Sequence, residues 1–260
     1  MNILDQITSY KKREVAAQKA AFSIGQLQKS AWFERDCYSM ATSLRNASTG
    51  IIAEHKRRSP SKSVINEQVG LPEVVQGYVQ AGVAVISVLT DTRFFGGSLN
   101  DLALARRLVA IPLLRKEFIV DVYQIYEAKA YGADAILLIA ACLSPSELKE
   151  FSTLAKSLGL EVLLEVHNEL ELEKSLHSSV DMIGVNNRDL KTFSVSLETS
   201  KKISEKIPAD FVKVSESGIS SIDAIKALKP YGYQGFLIGE HFMKTENPGE
   251  NAQKLINALR

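Results

Sequence analysis

Apolar residues along this chain recur in two rhythms. From residue 51 onward, short aliphatic and β-branched runs repeat: IIAEHK (51–56), VAVISVLT (83–90), PLLRKEF (112–118), ADAILLIA (133–140), EVLLEVH (161–167), DMIGVNN (181–187), FVKVSES (211–217) and GFLIGE (235–240). Several are almost unbroken apolar stretches, the pattern of parallel strands covered by helices on one side and packed against core side chains on the other. Helical segments lie between them. LPEVVQGYVQAG has a proline in its first turn and closes on Gly82, while SPSELKEFSTLAKSLG offers Ser144 as a cap, Pro145 behind it, Glu147 three residues on and Gly159 at its far end. Eight such alternations predict an α/β fold, either a closed (β/α)8 TIM barrel or a doubly wound open sheet. Closure is favoured because no Gly-x-Gly-x-x-Gly follows the first run and because polar residues stand at almost every strand's far end.

Residues 1–45 follow the second rhythm. Ile3, Leu4 and Ile7 repeat at helix spacing ahead of KKREVAAQKAA. The expected organisation is one domain over 1–260, with an N-terminal helical extension over 1–45 and the barrel over 50–260. No linker follows Arg260, so no fusion to a further enzyme is expected.

Composition narrows the partners. The 260 residues are 45% hydrophobic, enough for a large core, and the formal net charge of +1 creates no global field for nucleic acid or an anionic membrane. No apolar stretch is long enough to span a bilayer, and MNILDQITSYKKREV lacks the apolar core and cleavage site of a secretory signal, so a cytoplasmic location is expected. Cys37 and Cys142 stand far apart without a partner histidine or CxxC spacing, and are read as ordinary small side chains rather than a disulfide or metal site.

The far ends of the runs carry the candidate chemistry. Side chains two apart on a strand face the same way, so Glu54 and Lys56 are expected to look into one mouth at the C-terminal end of a barrel. The equivalent positions supply Lys116, Glu165, Asn186 with Arg188, Glu216 with Ser217, and Gly239 with Glu240. Gly218 and Gly239 fall where the last two strands turn into helices, a usual place for a phosphate held by backbone N–H groups. Lys56, Lys116 and Arg188 gather three cations that need anions or the carboxylates of Glu54, Glu165 and Glu216 beside them. A small ligand with a phosphate and a second acidic group fits. Lys116 suits proton donation to a developing oxyanion, and a Schiff base is its other open role. In FFGG (94–97) and at Phe118, aromatic faces suit a flat ring.

The segments IIAEHKRRSPS, SVLTDTRFFGGS, PLLRKEFIVDVYQI, GADAILLIAACL, LLEVHNELEL, IGVNNRDL, VSESGI and FLIGEHFM, in this order, resemble indole-3-glycerol phosphate synthase across essentially the whole chain. The resemblance implies an enzyme of tryptophan biosynthesis that closes the ring of 1-(2-carboxyphenylamino)-1-deoxyribulose 5-phosphate with loss of CO2 and water, without cofactor or metal. It implies Lys116 as general acid, Glu165 as partner acid/base, Glu54 orienting lysine or a substrate hydroxyl, Lys56 on an anionic end of the substrate, and Asn186 and Arg188 as hydroxyl and carboxylate contacts. Ser217, Gly218, Gly239 and Glu240 match the phosphate cradle, Ser59 a small hydroxyl beside the first strand, and Phe95 and Phe118 the ring contacts. Glu216 and Leu237 complete the expected binding set.

Three departures stand out: Ser63 where members often carry glycine, Glu240 where some carry serine, and His55 in a slot often apolar or aromatic. Glu240 is expected to turn its side chain away from the phosphate, and His55 to point away from the mouth. The extension is expected to roof the mouth, and the chain to act as a monomer. The rival enzyme, phosphoribosylanthranilate isomerase, would want a cysteine where Glu54-His55-Lys56 stand; the rival of another class is a barrel that binds the ligand without turning it over.

Overall fold

The computed structural model describes residues 3–176, 179–190 and 192–260; Met1 and Asn2, the first residues of the predicted extension, lie outside them. Eight parallel strands form one closed ring: β1 (Ile51–His55), β2 (Val85–Leu89), β3 (Leu113–Lys116), β4 (Ala135–Ile139), β5 (Glu161–Val166), β6 (Met182–Asn186), β7 (Val212–Glu216) and β8 (Tyr233–Ile238). Each pairs with the next, and β1 pairs with β8 from Ile51 opposite Phe236 to Ala53 opposite Ile238. This pairing excludes the open sheet.

Each strand lies inside its predicted run except β8, which begins two residues earlier, at Tyr233. Tyr233 is buried and donates its hydroxyl to the Ser200 carbonyl, while the register against β7 slips between Lys213 and Val214. An interruption of this kind is invisible to a search for apolar continuity, because Gln234 breaks the run. Gly50 explains the tight entry to β1: its φ is +67°, and a Cβ there would overlap the Gln234 carbonyl oxygen of β8. The predicted helix punctuation is present. Leu71–Ala81 ends on Gly82 in the left-handed region, and Pro145–Ser157 starts with a capping box in which Ser144 and Glu147 satisfy each other's backbone N–H groups.

Period-two alternation divides the strands between two cores. Ile51, Ala53, Ile86, Val88, Val162 and Leu164 pack outward against the helices, whereas Ile52, Val85, Leu114, Leu163, Met182, Val212 and Val214 fill the barrel. One end of the interior is closed by the helix Met40–Asn46, whose Met40, Ala41 and Leu44 join the barrel core. Its capping residue Ser39 and the Ala41 N–H both donate to Glu161 at the start of β5. Nearby, fully buried Asp134 accepts from Arg35, Arg106 and the N–H groups of Tyr38 and Leu113.

The extension therefore has two duties. Its first helix, Ile3–Ala21, buries Ile7, Lys11 and Val15 at four-residue spacing, with Val15 packing beside Leu27, Phe33, Tyr123 and Ala130 on the flank of the barrel. Ile3, Leu4 and Ile7 reach the opposite end, where they line the mouth as expected. The plug at the closed end was not part of that expectation.

Candidate active site

The C-terminal ends of the strands surround a cavity of about 360 Å³. Every residue of the predicted site lines it: Glu54, Lys56, Ser59, Phe95, Lys116, Phe118, Glu165, Asn186, Arg188, Glu216, Ser217, Gly218, Leu237, Gly239 and Glu240. Inward-facing positions follow the hydrophobic layers directly. Glu54 succeeds Ile52, Lys116 succeeds Leu114, Glu165 succeeds Leu163, and Glu216 succeeds Val214. The same alternation that fills the barrel with aliphatic side chains thus puts charge at its rim.

Lys116 is the centre of the charged cluster. Its Nζ lies 2.9 Å from Glu165 Oε2 and 3.1 Å from Glu216 Oε2. Burial alone would depress this ammonium, but Glu165, Glu216 and Glu54 together outweigh burial and hold its pKa above the ordinary lysine range. Glu165 has the mirror-image balance: burial favours the neutral acid, yet Lys116 and His167 keep the carboxyl well below the usual carboxylate range. Its Oε1 accepts from Asn186 Nδ2 at 3.1 Å, and Asn186 Oδ1 in turn accepts from the Arg188 N–H at 3.0 Å. Glu216 differs. Burial pushes its pKa up to about 7, because Lys116 is opposed by the like charges of Glu165 and Glu54. One triad therefore contains a firmly protonated lysine, a firmly ionised carboxylate and a carboxyl that titrates near neutrality.

On β1, Lys56 Nζ pairs with Glu54 Oε1 at 2.8 Å, just beyond the last strand residue His55. His55 is buried and absent from the cavity wall; burial, with Arg57 beside it, lowers its pKa to about 4. It turns away from the mouth as expected. Phe95 and Phe118 meet across the mouth with centroids 5.8 Å apart, while Phe94 packs edge-on against Tyr10 of the extension. Of the two adjacent phenylalanines, one serves the cavity and the other holds the first helix.

At the β7 and β8 ends, Ser217 and Gly218 are consecutive left-handed residues with φ of 65° and 76°. A Cβ at Gly218 would strike Val195, and one at Gly239 would strike the Glu54 carboxylate. Glu240 does not simply face solvent: its Oε1 lies 2.5 Å from Lys62 Nζ, in the loop that follows β1. Burial would raise its pKa, but Lys62, with Lys56 and Arg188, keeps it lowered and the side chain ionised. That loop is folded back on itself, with reciprocal backbone hydrogen bonds between Ser59 and Lys62.

Sequence reasoning overlooked several groups. His167 lies two residues after Glu165, with Nε2 3.3 Å from Glu165 Oε1 and Nδ1 3.1 Å from Glu171 Oε2. The alignment with Glu165 is too poor for a hydrogen bond, so the attraction there is Coulombic. The rule that paired Glu54 with Lys56 would have found it. Leu190, Phe193 and Val195 from the loop after β6 also line the cavity; nothing in their spacing marks them.

Comparison with known proteins agrees with this geometry. The sequence profile of indole-3-glycerol phosphate synthase matches residues 4–255. Indole-3-glycerol phosphate synthase of Bacteroides thetaiotaomicron is 48% identical over 259 residues, covering 100% of this chain and 99% of that protein. The protein of the same name from Caldanaerobacter subterraneus is 44% identical over 245 residues, covering 94% of each. Among solved structures, a chain of the tryptophan synthase a2b2 complex of Pyrococcus furiosus matches with a TM-score of 0.59 at 14% identity, over 81% of this chain and 97% of that one. KGPDC from Streptococcus mutans matches with a TM-score of 0.62 at 13% identity, over 81% and 96%. At such identities the structural likenesses speak for the barrel alone; by sequence, the chain belongs to the indole-3-glycerol phosphate synthase family.

Proposed function

We propose that the mouth closes the indole ring of 1-(2-carboxyphenylamino)-1-deoxyribulose 5-phosphate with Lys116 as general acid and Glu165 as its partner acid/base. The observation that carries this assignment is the Lys116 ammonium held between Glu165 and Glu216. As the ring carbon bearing the carboxylate attacks the ribulose carbonyl, negative charge grows on the carbonyl oxygen, and Lys116 supplies a proton to it. Loss of CO2 returns the bonding electrons to the ring. Lys116 regains a proton from solvent and passes it to the new hydroxyl, which leaves as water. Glu165 takes the proton released from carbon and returns it to Lys116, 2.9 Å away, to close the cycle. Carboxylates that keep Lys116 protonated work against the free amine that a Schiff base requires.

The other residues bend and hold the substrate. Ser217 and Gly218, in a left-handed turn of the kind that exposes successive N–H groups, form the phosphate end with Gly239 and the Glu240 backbone N–H. Phe95, Phe118 and Leu237 receive the anilino ring and its neighbours. Lys56 and Arg188 take the anionic groups, Glu54 orients Lys56, and Asn186 positions Glu165, with Ser59 and Glu216 contacting substrate polar groups. Bringing ring carbon and carbonyl together removes much of the entropic barrier to cyclisation. The pairing of Glu240 with Lys62 draws its carboxylate from the phosphate position.

The reading extends to a monomer acting in the cytoplasm without cofactor or metal. Among the described residues, no helix is long and apolar enough to cross a membrane. The test is turnover of the carboxyphenylamino substrate by purified protein, followed through indole fluorescence. Lys116→Met is expected to lower kcat by about 10²–10⁴-fold, the usual weight of a general acid, while product still binds. Near-normal rates in that variant would overturn the acid assignment. Substrate binding by the parent protein without release of CO2 would favour a binding subunit instead.

A further inference from the structure

Lys11, on the first helix of the extension, is buried to within 3% of full enclosure and carries three carboxylates around one ammonium. Nζ lies 2.6 Å from Glu14 Oε2, 2.8 Å from Asp91 Oδ2 and 3.1 Å from Glu117 Oε1. Burial would depress this ammonium, but Glu117 and Asp91 outweigh burial and keep its pKa raised. A buried lysine in such company is costly to desolvate, and taking away one partner of such a cluster leaves buried charge uncompensated.

What it fixes is legible from the second oxygens and neighbours of its partners. Asp91 Oδ1 accepts from the N–H groups of Phe94 and Phe95, at 2.6 and 3.2 Å, and so caps the short helix Thr92–Phe95. Glu117 Oε1 also accepts from the Phe118 N–H at 2.9 Å, and its Oε2 accepts from Thr90 at 2.7 Å. Asp91 thus sets Phe95 and Glu117 sets Phe118, the two rings that meet at 5.8 Å in the mouth. One helical turn before Lys11, Ile7 lines the same cavity.

We infer that Lys11 is a positioning residue for the ring end of the substrate, a single ammonium that locks the roof helix to the two carboxylates holding Phe95 and Phe118. Lys11 has no contact with the cavity and acts through those groups. The inference rests on the proposed reading of Phe95 and Phe118 as ring contacts. It accounts for a lysine being buried on a helix whose other inward residues, Ile7 and Val15, are aliphatic.

The test is steady-state kinetics of Lys11→Met, Lys11→Arg, Phe95→Leu and the Lys11→Met, Phe95→Leu double variant, each with a thermal melt. Lys11→Met is expected to raise KM by about tenfold, on the scale of one charge-assisted contact, with a smaller effect on kcat. Lys11→Arg should recover most of that loss. In the double variant the two KM effects should fall short of their product, because both act on one ring contact. Because Lys11→Met strands two buried carboxylates, Lys11→Met with Asp91→Asn is measured as well: asparagine keeps the cap but not the charge, so a folded protein with raised KM is expected. An unchanged KM in folded Lys11→Met or in folded Lys11→Met with Asp91→Asn, or effects that multiply fully with Phe95→Leu, would overturn the inference. Failure of the catalytic reading is distinct, since it would appear as retained turnover in Lys116→Met whatever Lys11 does.

Discussion

Gly184 on β6 leaves the space that the Glu216 carboxylate of β7 occupies: a Cβ at Gly184 would overlap Glu216 Oε1. Gly184 succeeds Met182 on the inward face of β6, and its missing side chain lets a carboxylate lie inside the ring within reach of Lys116. Gly184→Ala should therefore displace Glu216 and loosen the pairing that aims Lys116. The expected loss in kcat/KM is about a hundredfold, the scale of an ångström-sized misplacement of a catalytic group. Wild-type kinetics in Gly184→Ala would show that Glu216 need not sit where it does.

The pKa of Glu216, pushed up to about 7 by burial, predicts a feature in the pH profile. The kcat/KM profile of the parent protein should bend near neutrality, and Glu216→Gln should remove that bend while the others remain. Its sign for stability follows from the direction of the shift. A carboxyl whose folded pKa lies above its unfolded value stabilises the fold at low pH, and that contribution is lost as pH rises through about 7. Profiles of identical shape in the two proteins would remove Glu216 from the titrating set.

His167 offers a separate pH test. Burial opposes its charge, but Glu165 and Glu171 prevail and raise its pKa from 6.5 to about 10. The stabilisation is complete below its unfolded pKa and disappears as pH climbs through about 10. Urea unfolding of the parent protein should show falling stability from neutral to alkaline pH, with a shallower slope in His167→Asn. Equal slopes would mean that the imidazole is not held charged.

The plug at the closed end should separate stability from catalysis. Leu44, 1% exposed, joins the barrel core from the helix Met40–Asn46. Leu44→Ala should cost about 2–5 kcal/mol of unfolding free energy through lost burial and cavity formation. Its KM for the carboxyphenylamino substrate should stay close to the parent value, since the mouth lies at the other end of the ring. A raised KM in a folded Leu44→Ala protein would show that the two ends are coupled. Deleting residues 1–45 in one step would confound these duties, because it removes plug and roof together.

Much of this arrangement was legible in the sequence because two periodicities coincide there. Inward positions of the strands alternate, so Glu54, Lys116, Glu165 and Glu216 could be assigned to one rim from spacing alone, and the family resemblance gave them roles. Glycine and capping signals located the helices for the same local reason. What escaped is non-local. Lys11 reads as one basic residue in KKREV, and only Asp91 and Glu117, brought beside it by the fold, distinguish it from exposed Lys12. The plug escaped because MATSLRN has too few apolar residues to announce burial. Tyr233 escaped because a register slip interrupts its strand.

The plug also orders events during synthesis. Ser39 and Ala41 find their acceptor on Glu161, 122 and 120 positions downstream, so this early segment leaves the ribosome well before its seat exists. The ring itself awaits β8, whose Phe236 pairs with Ile51. Until then Met40, Leu44 and the inner faces of the first strands stay without their partners, a long interval in which a nascent chain is open to aggregation and in need of shelter.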